Sequence, residues 1–216
     1  MAKAGAPSVV AVGSGRSAQT RQRLVRAAIE TLRSDGYARA SARTIAQRAG
    51  LNQSLIFYHF GSVADLLLAA LDAVSEERHR VYSTEVTGAA SAGELVEAAE
   101  GIFRKDLEAG YTTVLVEMIA GSAATPGLGP AVAARIRPWR EFAESTLEAS
   151  LGGSPLGGVL PAEDVAHAVV ALYLGLEMLS HLEGDAGPAL ALFARAKQIA
   201  ALSESLPRSA TAKEQR

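Results

Sequence analysis

Apolar residues recur along this chain at intervals of three and four, broken by short runs of Gly, Pro, Asn and Asp, and strand-like alternation is negligible. Leu24, Ala27, Ala28, Thr31 and Leu32 form the stripe of a first helix that starts at Ser17 or Thr20, with Arg21, Arg23, Arg26 and Arg33 off the stripe. Asp35-Gly36 ends that helix, and Tyr37 is expected to pack back under the turn. Ser41 caps a second pattern with Ile45, Ala46 and Ala49 inside. Gly50 stops it, and Asn52 caps a third helix from about Gln53 to His59. In this third helix Leu55, Ile56 and Phe60 are the expected inner contacts, which leaves Gln53, Ser54, Phe57, Tyr58 and His59 outside. Their amide, hydroxyl, phenol and imidazole groups suit base edges and phosphate oxygens.

The helical pattern continues beyond this segment. Ser62 and Asp65 have the spacing of a capping box, and Leu66, Leu67, Ala70, Leu71 and Val74 carry a stripe that runs to about Glu85. Further helices are expected over Ala92–Ala109, Thr112–Ser122, Ala131–Leu151, Pro161–Glu183 and Ala189–Leu206. Pro138 should kink or interrupt the third of these, because proline removes a backbone hydrogen bond. Pro161–Glu183 is apolar almost all round, which predicts a central position, and Gly175 within it predicts close approach by another helix. Ser122–Pro130 reads as a loop and Gly152–Gly158 as a linker.

Composition narrows the class. With 216 residues and 49% hydrophobic content, the chain can bury a core as a folded soluble protein. Cysteine is absent, which excludes disulfides and thiolate metal sites, and no run of eighteen apolar residues occurs. The amino terminus is too weakly apolar for a signal peptide, so the expected location is the cytoplasm, with no membrane partner. The net charge of −2 hides an asymmetry: residues 1–60 carry nine Lys or Arg against Glu30 and Asp35, a balance of +7, and residues 61–216 balance at −9. A basic module on an acidic body suits a polyanion held at one end.

Ala46, Ala49-Gly50-Leu51-Asn52-Gln53-Ser54-Leu55-Ile56-Phe57-Tyr58-His59-Phe60-Gly61-Ser62, preceded by an arginine-rich helix ending in Asp35-Gly36-Tyr37, resembles the DNA-binding segment of TetR-type transcriptional regulators. The resemblance covers roughly residues 20–70 by motif. It implies an all-α fold with an N-terminal three-helix helix-turn-helix DNA-binding domain and a C-terminal helical ligand-binding and dimerisation domain. The corresponding division is a disordered arm over 1–16, the DNA-binding domain over 17–64, the ligand-binding and dimerisation domain over 65–207, and a disordered tail over 208–216. It further implies a homodimer, a double-stranded DNA operator, and a small-molecule effector that releases the DNA. Arg43, Thr44, Asn52, Gln53, Ser54, Phe57, Tyr58 and His59 are the candidate DNA contacts. Leu55, Phe57 and Val63 depart from the family's usual small polar residue, tyrosine and lysine, which removes possible DNA contacts.

No phosphate loop, dinucleotide fingerprint, nucleophile elbow or zinc motif occurs, so neither enzyme activity nor a cofactor or metal is expected. His167, Glu177 and His181 share a helix face, but His167 and His181 lie about 21 Å apart along it. Only Glu177 and His181 are near enough to share an ion, and such a pair is more often a hydrogen bond. The body also holds Phe103, Glu117, Met118, Trp139, Phe142, Tyr173, Glu177 and His181, an apolar set with a few polar groups that suits a small-molecule site. Its scarcity of cations favours a hydrophobic, neutral or weakly cationic effector over a phosphate-rich one. The alternative function is a helical ligand-binding or interaction protein without a transcriptional role.

Overall fold

In the computed structural model, which describes residues 10–86, 88–89, 91–151 and 161–205, every regular element is helical. The elements are α1 (Val10–Asp35), α2 (Ala42–Ala49), α3 (Ser54–Phe60), α4 (Val63–Val86), α5 (Ala92–Ala109), α6 (Tyr111–Ser122), α7 (Leu128–Leu151), α8 (Ala162–Glu183) and α9 (Gly187–Ser205), with one 3-10 turn over Tyr37–Arg39. The expected linker over 152–158, the tail over 208–216 and the first nine residues of the arm lie outside the described residues. Within the described part of that arm, α1 already begins at Val10, earlier than its apolar stripe indicates.

Two compact units divide the chain. The first joins the residues up to Ser75 with Thr113–Val132, and the second joins Glu76–Thr112 with the residues from Ala133 onward. The division between these compact units falls inside α4, and α6 starts in one unit and ends in the other. A helix is one hydrogen-bonded rod, so composition along α4 carries no mark of the change.

The first unit is built as the hydrophobic pattern demands. Leu24, Ala28, Thr31 and Leu32 of α1 and Ile45 and Ala46 of α2 are buried, and α1 packs against α2. Leu66, Leu67, Ala70, Val114 and Met118 are buried in the same unit. Tyr37 departs from expectation because its ring lies on α6. A side-chain carbon added at Gly121 would sit 2.4–2.5 Å from ring carbons of Tyr37, so only glycine admits this packing. The Tyr37 backbone N–H donates to Glu117 Oε2 at 2.7 Å, and its hydroxyl lies 2.9 Å from Thr125 Oγ1.

In the second unit α5 packs against α9 and α8. Pro138 does not interrupt α7, which runs unbroken from Leu128 to Leu151. Helix α8 is not central in the single chain. Only Ala166, Glu177 and Ser180 of it are buried, while Val169, Leu172, Met178, Leu179 and Leu182 are exposed. Among the described residues a side chain at Gly175 would meet nothing within 4 Å, so no described helix presses on it. By length and composition α8 could cross a membrane. However, its fully buried Glu177 and its packing on α5 and α9 show that one face is committed to protein.

Candidate nucleic-acid interface and buried polar cluster

The outward helix is α3, and its presentation follows from the caps around it. Ser41 Oγ accepts from the Thr44 backbone N–H at 3.1 Å and so starts α2. Gly50, at φ 62°, closes α2 in the left-handed conformation, and Arg23 of α1 donates to the Ala49 carbonyl at 2.7 Å. Asn52 Oδ1 then accepts from the Ser54 N–H at 2.9 Å and turns the chain into α3. Ile56 is fully buried and anchors that helix, and Arg21 lies over the Phe60 ring, 4.9 Å from its centroid. On the far side Ser62 Oγ accepts from the Asp65 N–H at 3.0 Å and starts α4.

With Ile56 turned inward, Gln53, Ser54, Phe57 and Tyr58 are exposed, Tyr58 to 80%. His59 is half-buried, its ring edge-on to Tyr58 at 4.9 Å. Arg43 and Asn52 are exposed. Thr44 is half-buried, with its hydroxyl 2.8 Å from Ser41 Oγ. The eight residues singled out for DNA thus lie on α2, α3 and the turn between them, and Gln53, Tyr58 and His59 are not sealed inside.

The body residues divide between the two units. Glu117 and Met118 belong to the first, where Glu117 holds Tyr37 and Met118 is core. Phe103, Trp139, Phe142, Tyr173, Glu177 and His181 belong to the second. There Phe103 is fully buried and packs on the rings of Tyr173 at 5.8 Å and Phe193 at 5.3 Å. Trp139 meets Tyr82 at 5.0 Å, and Phe142 meets His79 at 5.1 Å. His181 is exposed, and among the described residues no three His, Cys, Asp or Glu side chains are placed to hold a metal ion.

The centre of this unit is a polar cluster that sequence reading passed over. Arg78 donates to Asp106 Oδ2 at 2.5 Å and to the Tyr82 hydroxyl at 2.7 Å. The same Asp106 oxygen accepts from the Tyr173 hydroxyl at 2.8 Å and from the Tyr82 hydroxyl. Burial works to lower the Arg78 pKa, but the Asp106 and Glu177 carboxylates overcome it and the guanidinium is held above its ordinary value. Burial also raises Tyr173, helped by the same two acids. Glu177 is fully buried and 3.7 Å from Arg78, and neither of its oxygens completes a hydrogen bond. Its pKa is pushed up to about 8, by burial first, with Arg78 and Thr112 opposing and Asp106 adding to the rise. Thr112 and Asp106 are thus close enough to bias the Glu177 proton without making a bond of normal geometry. One signal of this cluster was legible: Asp106 falls three and four residues after Phe103 and Ile102, on the buried stripe of α5.

A short helix anchored by one apolar residue, held outward by a capped partner, defines a helix-turn-helix protein. Residues 24–70 match the family of bacterial regulatory proteins described as the tetR family. An uncharacterised helix-turn-helix-type transcriptional regulator of Mycobacterium tuberculosis is 33% identical over 108 residues, which cover 50% of this chain and 55% of that protein. The chain therefore spans about half the length of the curated relatives it matches. Among solved structures, a TetR family member of Streptomyces coelicolor aligns with a TM-score of 0.63 and 26% identity over 82% of this chain and 98% of that one. The multidrug binding protein EbrR, solved with malachite green, aligns with a TM-score of 0.61 and 24% identity over 85% and 96%. Residues 24–70 thus match the TetR-type transcriptional regulators, and the chain shares its fold with solved members of that family.

Proposed function

We propose that this protein is a dimeric, cytoplasmic repressor that holds double-stranded operator DNA and is released from it by a small hydrophobic effector. The observation that carries the reading is the exposure of Gln53, Ser54 and Tyr58 on α3 while Ile56 is fully buried beneath them. Gln53 and Ser54 read base edges. Tyr58 and His59 contact base edges or phosphates, Arg43 takes a phosphate near the helix pair, and Thr44, Asn52 and Phe57 complete the DNA-facing set. Two α3 helices enter successive major grooves about 34 Å apart, or a modest multiple of that. A gel shift with the DNA flanking its own gene tests the reading, and failure to bind any such duplex would refute it.

The role assignment makes a sharper prediction. Gln53→Ala should change sequence preference, whereas Arg43→Ala should weaken all duplexes alike and flatten the salt slope by about one unit. Identical effects of the two changes on a panel of operators would contradict it.

The dimer is supported by Leu172, Leu179 and Leu182 of α8 and Leu192, Ile199 and Leu202 of α9, all exposed in the single chain. These helices form a four-helix contact with their copies about a twofold axis, where close approach at Gly175 offsets its cost in helix propensity. Leu179→Glu should give a monomer in analytical ultracentrifugation and a large loss of operator affinity; an unchanged dimer would place the contact elsewhere. The effector binds the second unit among Phe103, Trp139, Phe142, Tyr173, Glu177 and His181, and EbrR with malachite green is a precedent for such binding in this fold. It acts by favouring a conformer whose reading helices no longer match the groove spacing.

A further inference from the structure

We propose that the effector carries a cationic nitrogen, which the Glu177 carboxylate receives within the cluster of Arg78, Tyr82, Asp106, Trp139 and Tyr173. This rests on the reading that the second unit binds the effector, and it adds the charge of that molecule.

The cluster holds buried polar groups with no hydrogen-bond partner. Glu177 is fully buried, its two oxygens complete no hydrogen bond, and the buried Thr112 hydroxyl has none either. Buried polar groups left in this state are rare in a finished core, and a bound group that supplies the missing partner accounts for them here. Arg78 does not fill the gap, because its guanidinium is committed to Asp106 and Tyr82 and reaches Glu177 only at 3.7 Å. Its carbon also lies 5.4 Å from the Trp139 ring centroid and 5.3 Å from that of Tyr82.

Charge counting gives the sign of the ligand. The groups acting on Glu177 are Arg78 from α4, Asp106 from α5, Thr112 from α6 and Tyr173 from α8, so two carboxylates share one cation. A second positive charge is needed for both acids to ionise in a site this dry. In the ligand-free protein a proton takes that place on Glu177, whose pKa is pushed up to about 8 by burial first and then by Asp106. An ammonium exchanges with that proton: the neutral carboxyl loses H⁺ to solvent, and the carboxylate accepts N–H bonds from the ligand. A phosphate or carboxylate effector would instead confront two acids. Because Glu177 is sealed, admitting the ligand requires the cluster to open, and that opening separates two conformers of different affinity.

The test uses 1-naphthylmethylamine, cationic at pH 7, and its neutral isostere 1-ethylnaphthalene, with naphthalene fluorescence to read affinity. Calorimetry of the amine in two buffers of different ionisation enthalpy counts the protons released. The expected result is at least tenfold tighter binding of the amine, release of nearly one proton at pH 7, and loss of both in Glu177→Gln. Equal affinities for the two compounds, unaffected by Glu177→Gln, overturn the cationic assignment and leave an apolar effector in place. Absence of amine binding up to millimolar concentration also overturns it, and release of operator by any other compound then shows whether effector binding survives. The proton count is made on the unaltered chain, so it decides the matter even where the variant does not fold.

Discussion

Asp106→Ala is expected to cost about 3–5 kcal/mol of folding stability, the range found when one partner of a buried ion pair is removed. The Asp106 oxygen accepts from Arg78, Tyr82 and Tyr173 together, so the change leaves a guanidinium and two hydroxyls without their acceptor. Glu177, at 3.7 Å from Arg78, can take over part of the charge but none of the phenol bonds. The neighbouring acid should behave in the opposite way. Glu177→Gln removes no completed hydrogen bond and relieves a carboxyl that burial disfavours in its charged form, so its cost should stay within about 1 kcal/mol. Chemical denaturation of the two variants checks the contrast, and equal losses would mean that the cluster has been divided wrongly between its acids.

Gly121→Val is expected to be the second severe change, because its new side chain would begin inside the Tyr37 ring. Overpacking of this kind costs about 1–3 kcal/mol where neighbours can yield, and here the nearest atoms are the rigid root of an aromatic ring. If the ring moves, the 2.7 Å bond from the Tyr37 N–H to Glu117 and the contact with Thr125 go with it. These contacts tie the turn between α1 and α2 to α6, so operator affinity should fall with stability. Tyr37→Ala should remove most of the penalty, giving a coupling of about 1–3 kcal/mol in a double-mutant cycle. Additive effects would show that the ring and the glycine are not in opposition. Gly175→Ala is the matched control for stability within one chain, since a side chain there meets nothing within 4 Å.

Tyr37 also illustrates where sequence reading stopped. The positive φ of 77° at Gly36 was legible as the end of a helix, but the residue that receives the ring lies more than eighty positions later. Nothing periodic links the two. Asp106 and Arg78 present the same difficulty in another form: each sits on a helix whose own pattern accommodates it, and only their meeting across 28 positions makes them a pair. Helix α8 was misplaced for a related reason. An apolar surface on every side says that the helix is covered, without saying whether its own chain covers it.

What the amino-acid order determined by itself is everything governed by neighbours within one or two turns: helical periods, the Ser41, Asn52 and Ser62 caps, the Gly50 stop, and an outward α3 with Ile56 beneath it. These depend on interactions between residues two to four apart, whose geometry the backbone supplies. Tertiary structure alone decided that Tyr37 seats on Gly121, that α4 and α6 each serve two units, and that one arginine meets two acids in the core. Those outcomes rest on contacts between distant segments, and a side chain's partner there is set by how whole helices pack.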